Sequence, residues 1–133
     1  MTHPFRTAVE AKDFDALVAA LSPDVVLHSP VTFSPFEGRE AVTAVLRVVF
    51  DVFEDFTYTD ELTSGPTTAL VFTARVGDRQ VEGVDLLGDA ENGSIADLTV
   101  LVRPMSGLQA LAGAVAEGLA VAATGSPAEP AST

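Results

Sequence analysis

Four consecutive segments of this sequence read as β-strands, and the turns between them leave little choice of how they pair. Phe56 to Thr63, Thr67 to Val76, Arg79 to Leu87 and Ile95 to Arg103 are rich in β-branched and aromatic residues. Gly77-Asp78 and Asn92-Gly93 supply turn chemistry between the last three, which therefore form an antiparallel meander. Just ahead of them, between Gly38 and Glu54, Val42, Val45, Leu46, Val49 and Phe53 keep the spacing of a long one-faced helix. Helices first and strands afterwards predict an α+β domain, with the helices packed on one face of the sheet.

The N-terminal part adds two short helices. Pro4 suits a first helical turn, with Phe5, Ala8 and Val9 as the apolar positions. Asp13 is placed to cap a second helix, whose apolar face is Phe14, Leu17, Val18 and Leu21, and Ser22-Pro23 ends it. Asp24 to Ser29 reads as a short strand, and Pro30 to Glu37, with two prolines, as a loop. A final helix of small residues carries Leu108, Leu111, Ala112, Val115 and Leu119, interrupted by Gly113 and Gly118. One domain over residues 1–122 and a disordered tail over 123–133 are expected.

Charge and composition narrow the function. The 133 residues hold 7 Lys plus Arg against 19 Asp plus Glu, a net charge of −12, with the basic residues scattered. Phosphate backbones need clustered Lys and Arg, so nucleic acid is excluded as a partner. With 0 Cys, thiolate catalysis, iron–sulfur clusters and a disulfide scaffold are excluded too. No apolar segment suits a signal peptide or a membrane span, which predicts a cytoplasmic protein without membrane partners. The last strands are apolar on both faces: Leu98, Val100 and Val102 against Ile95 and Leu101, and Val84 and Leu86 against Val81 and Leu87. A second apolar face needs a cover, and a homodimer through the sheet is expected to provide it.

The order helix, helix, strand, long helix, four strands resembles the nuclear-transport-factor-two-like superfamily, over about Phe5 to Pro104. The residues that carry the likeness are Asp24 to Pro30, Phe36 to Val42, and Gly83-Val84-Asp85-Leu86-Leu87 followed by Asn92-Gly93-Ser94-Ile95. The resemblance implies a cone-shaped, curved antiparallel sheet of the cystatin-like α+β roll, with the N-terminal helices on its concave face. It covers ketosteroid isomerase, limonene epoxide hydrolase and the SnoaL-like polyketide cyclases, so the reaction must be argued from the site.

Set beside the ketosteroid isomerases, Asp85 falls eight residues before Gly93, where those enzymes hold the carboxylic acid that donates to the substrate oxyanion. Its strand neighbours Val81, Gly83 and Leu87 are apolar, and desolvation there raises a carboxyl pKa. The isomerase general base falls on Ser29 and its oxyanion Tyr on Phe5. A Ser hydroxyl is no base at its ordinary pKa, and Phe donates nothing. The epoxide hydrolase pattern keeps Arg75 but has Gly77 where its first Asp belongs.

Asp85 as acid and His28 as general base are therefore the candidate catalytic residues. Strand alternation sets His28 against Ser29, so the two face a pocket together only if the strand end is rotated. A buried Asp85 otherwise calls for an ion pair, with Arg75 or Arg103 as the candidates. Ser29, Tyr58, Phe5, Phe53, Phe72, Val100 and Val102 are expected to bind substrate. The chain offers no cofactor motif and no metal-ligand pattern, so neither is expected. Two functions remain open: a protein that binds a hydrophobic, carbonyl-bearing molecule, with cofactor-independent isomerase, cyclase or lyase chemistry at Asp85 left open, or a non-catalytic dimeric binding or interaction module whose cone holds a hydrophobic ligand or is filled by Phe side chains.

Overall fold

The computed structural model describes residues 2–124, with side chains through Val121. The elements are α1 (Pro4–Glu10), α2 (Phe14–Ala19), β1 (Leu21–His28), β2 (Phe36–Glu37), α3 (Arg39–Val52), β3 (Glu54–Ser64), β4 (Thr67–Val76), β5 (Arg79–Asp89), β6 (Ile95–Arg103) and α4 (Met105–Thr124). One curved six-stranded sheet runs in the order β2-β1-β6-β5-β4-β3. β3 to β6 form the expected antiparallel run, whereas β1 adds to β6 in parallel and carries the two-residue β2 on its outer side. The α+β class and its cystatin-like curvature hold, with this parallel pair as the added detail.

Alternation along the strands divides the two faces. On β5, Val81, Gly83, Asp85 and Leu87 are buried toward the helices, while Val84 and Leu86 look outward. Leu70 and Phe72 of β4 share the inner face and are fully buried. Ile95 departs from its expected outer position and is fully buried as well. The ladder explains this: Gly88 pairs with Asp97 and Asp89 with Ile95, so the intervening Ala96 is an extra residue that turns Ile95 inward.

Leu21 also moves. Helical spacing assigned it to α2, but α2 stops at Ala19 and Leu21 opens β1 opposite Ile95, with its carbonyl accepting from both Nε and Nη2 of Arg39 at 3.2 and 2.7 Å. This bond ties the start of α3 to the sheet, which gives Arg39 a structural role. Asp13 caps α2 as expected, its carboxylate accepting from the Ala16 N–H at 3.1 Å.

α1 is anchored by a residue that composition alone did not single out. The imidazole of His3 caps the helix by accepting from the Phe5 N–H at 3.0 Å, and its Nε2 faces Asp89 at 3.1 Å. The His3 backbone N–H donates to Glu61 at 2.9 Å, and Arg6 reaches the same carboxylate at 3.3 Å. These contacts pin α1 to the ends of β3 and β5 and so fix Phe5 against the sheet. Of the two histidines, the buried one is thus His3.

α4 packs on α3, β5 and β6. Gly107 touches Val81 and Gly118 touches Val48 so closely that a Cβ at either position would overlap the valine. The helix runs two residues into the segment assigned to the tail, and residues 125–133 lie outside the described residues. None of the helices described is long and apolar enough to cross a membrane.

Candidate functional site

The helices do not fill the cone. A cavity of about 840 Å³ remains between the sheet, α1, α3 and α4, within the range of ligand sites. Phe5, Leu27, Leu98 and Val100 form its inner wall, Val49 of α3 and Phe53 just after that helix one side, and Leu111, Val115 and Leu119 of α4 another. A cone packed solid with Phe is therefore not what the sequence builds. The aromatic residues stack into the wall instead: Phe56 lies on Phe72 with centroids 4.7 Å apart, and Phe53 meets Phe72 edge-on at 5.6 Å.

Asp85 reaches this cavity from the middle of β5, between Leu70 of β4 and Val100 of β6. It is 8% exposed, and its Oδ2 accepts from the Tyr58 hydroxyl at 2.8 Å. Oδ1 has no partner among the described residues and keeps access to the cavity. Burial pushes the carboxyl up to about 7, and the Tyr58 hydrogen bond, which favours the anion, works against that rise. The Tyr58 hydroxyl is itself driven well above its ordinary range, first by burial and then by the adjacent Asp85 charge.

The ion pairs considered for Asp85 are absent. Arg75 engages Glu54 at 2.8 Å and Asp55 at 3.0 Å, and Arg103 engages Glu82 at 3.2 Å. The partner of Asp85 is the phenol of Tyr58, a contact between strands that no local spacing in the sequence announces.

Of the other residues expected at the site, Phe5, Ser29, Tyr58, Phe53 and Val100 line the cavity with Asp85. His28 does not. It points to the opposite side of β1, is 44% exposed and faces Asp97 across 3.4 Å. From Val25 to its end at His28 the strand alternates regularly, so no rotation brings His28 and Ser29 to one face. Phe72 also lies off the cavity, fully buried behind Phe53 and Phe56, and Val102 packs farther along β6.

Ser29 sits at the rim, where its Oγ accepts from the Val31 and Thr32 N–H groups at 3.1 and 3.2 Å. Its lone pairs serve the loop and leave little basic capacity. Carboxylates do line the open side: Glu10, Asp51, Glu54 and Asp55 are exposed there, with Lys12 as the cation. Glu10 is held by Arg6 at 3.0 Å, and Glu54 and Asp55 by Arg75. No group of three or more metal-ligating side chains occurs among the described residues.

Known proteins share this fold. The SnoaL-like domain family matches residues 3–98. A steroid delta-isomerase from Pseudomonas aeruginosa is 38% identical and superposes with a TM-score of 0.86 over 90% of this chain and 89% of that one. A bacterial protein with a cystatin-like fold from Silicibacter pomeroyi is 34% identical, with a TM-score of 0.81 over 85% and 80% of the two chains. An NTF2-like protein from Cytophaga hutchinsonii, at 18% identity and a TM-score of 0.61 over 77% and 87%, shares the fold. No curated protein sequence matches the chain. With its cone, its cavity and the family match over most of the length, the chain belongs to the SnoaL-like domain family of the NTF2-like superfamily.

Proposed function

We propose that the protein binds a largely apolar, carbonyl-bearing small molecule in this cavity and polarises its carbonyl oxygen with Asp85. The observation that carries the reading is a carboxyl buried at the wall of an apolar cavity, with one oxygen held by Tyr58 and the other open to the cavity. Desolvation favours the protonated acid, and an undissociated carboxyl donates to a carbonyl oxygen. Negative charge that develops on that oxygen as a neighbouring C–H is deprotonated is stabilised most where water is excluded. The likeness to a steroid delta-isomerase supports a fused-ring ketone as the ligand class.

Turnover needs a base as well as an acid. His28 faces away from the cavity, Ser29 spends its oxygen on the loop, and three of the four rim carboxylates are held by arginines. These features favour tight binding with slow proton transfer over fast isomerisation.

Titration with a 3-ketosteroid tests the reading. Saturable binding is expected, weakened at least about tenfold in Asp85→Leu, which loses the donor and keeps an apolar side chain of similar size. A wild-type protein that binds no hydrophobic ketone would overturn it.

The outer face of the sheet supports a second copy of this chain as partner. Leu62, Ala69, Leu86 and Thr99 form one cross-strand row, and Asp60, Val71, Val84 and Leu101 the next. Leu62 and Leu101 are 60% and 54% exposed. A two-fold axis through this patch sets the same apolar residues against each other, which a self-complementary dimer requires.

A further inference from the structure

The polar groups of the deep cavity impose a rule on its ligand that is narrower than apolarity. Tyr58 has one hydrogen to give, and it gives it to Asp85 Oδ2. Phe5 has none. The elements around Asp85 contribute apolar side chains to the cavity: Phe5 from α1, Val49 from α3, Phe53 from the residue after it, Val100 from β6 and Leu111 from α4. The titratable groups on the wall are Glu10, Lys12, Asp51, Glu54 and Asp55, all exposed on the open side, and Glu10 and Arg6 act electrostatically on Tyr58 with opposite sign. Whether the deep cavity presents a donor therefore depends on a single proton.

We infer that Asp85 selects its ligand by protonation state: as an acid it accepts either a carbonyl or a hydroxyl compound, and as a carboxylate it accepts only a ligand whose oxygen carries a hydrogen. This inference rests on the ligand-binding reading above and names the ligand chemistry of the same site. A carbonyl oxygen only accepts, so beside the ionised carboxylate it meets a second acceptor and is left unpaired in a dry site. A hydroxyl satisfies both states, because it accepts from the acid and donates to the carboxylate. Burial places the change near neutral pH, at about 7, where a modest shift in conditions alters the preference. The site is thus built to hold a ketone under mildly acidic conditions and to exchange it for its alcohol under mildly alkaline ones.

The experiment compares a 3-ketosteroid with the corresponding 3-hydroxysteroid, measuring Kd for each from pH 5.5 to 8.5 in the full-length protein. Ketone affinity is expected to fall about tenfold per pH unit above the Asp85 transition, since only the protonated fraction is competent. Alcohol affinity is expected to change less than about threefold, because a hydroxyl pairs with either form. In Asp85→Asn, whose amide donates and accepts at every pH, the ketone profile is expected to be flat. Parallel profiles for the two steroids in the wild type would overturn the inference while leaving the ligand-binding reading standing, and a ketone profile that persists in Asp85→Asn would do the same. Failure of both steroids to bind at any pH would overturn the inference together with that reading.

Discussion

The hydroxyl of Tyr58 on β3 and the carboxyl of Asp85 on β5 meet at 2.8 Å across the intervening strand β4. β4 permits the contact by placing Leu70 and Phe72, both fully buried, on the same inner face. The pair is the polar focus of the deep, apolar part of the cavity, and its energetics can be tested without any ligand.

The folded protein keeps the Asp85 proton up to about pH 7, whereas an unfolded Asp releases it near 3.8. Between those values the native state binds more protons, so stability falls as pH rises through that window. The contribution is fully present below about pH 4 and gone above about pH 7, and amounts to at most roughly 4 kcal/mol. Urea unfolding of wild type and Asp85→Asn across this range is expected to show the variant gaining on the wild type as pH rises and exceeding it at pH 8. Curves that run parallel would show that Asp85 does not titrate in this window.

Tyr58→Phe removes the hydrogen bond that favours the ionised carboxyl. The Asp85 transition, followed by carboxyl carbon NMR, is expected to move upward. At pH 8 the variant should lose about 1–3 kcal/mol, the usual cost of an abandoned buried polar partner, and less at pH 5. A transition that moves down would contradict the geometry.

Gly83 lies opposite Phe72 on β4 and Val102 on β6. A Cβ there would overlap both the Phe72 ring and the Leu101 carbonyl oxygen. Gly83→Ala should therefore cost about 1–3 kcal/mol by overpacking, although alanine has the better intrinsic strand preference. Thermal unfolding measures it, and an unchanged Tm would refute the close packing.

Ser29→Asp sets a carboxylate at the rim of the cavity, on the position that the resemblance to the ketosteroid isomerases gives to the general base. Isomerisation of an unsaturated 3-ketosteroid, followed by absorbance of the conjugated product, is expected to rise about 100-fold, a typical yield of general-base catalysis. No rise in a variant that still binds the ketone would mean that the bound carbonyl does not point to Asp85.

Leu101→Lys puts a charge at the β6 end of the outer apolar patch, on one of its most exposed residues. Light scattering is expected to give twice the chain mass for the wild type and the single-chain mass for the variant. A wild-type monomer at micromolar concentration would remove the dimer.

Local chemistry made much of this fold legible. β4 and β6 begin and end where their β-branched runs do, and β5 extends two residues past its expected end. Asp13 caps its helix because its side chain competes for the nearby N–H groups wherever it stands. Strand parity put Asp85 on one face with Val81 and Leu87, and the likeness to the isomerases suggested that this face is the inner one, as the burial along β5 shows. Other features depended on contacts distant in sequence. Leu21 has helical spacing, yet the ladder with Ile95 claims it for a strand, and the extra residue Ala96 reverses the face of Ile95. His28 was drawn to the site by its chemistry and kept from it by the same alternation that turns Ser29 toward the rim. Tyr58 was recognised as a candidate, but its partnership with Asp85 exists only once β4 brings their strands to one sheet.

α4 lies beyond residue 98, where the family match ends, yet Leu111, Val115 and Leu119 close one side of the cavity. The acid thus stands on a strand inside the matched region, while part of the enclosure is built by a helix beyond it that meets α3 through Gly118 and Val48. Substitutions along that helix would therefore alter the room inside the cone while leaving the Tyr58–Asp85 hydrogen bond in place.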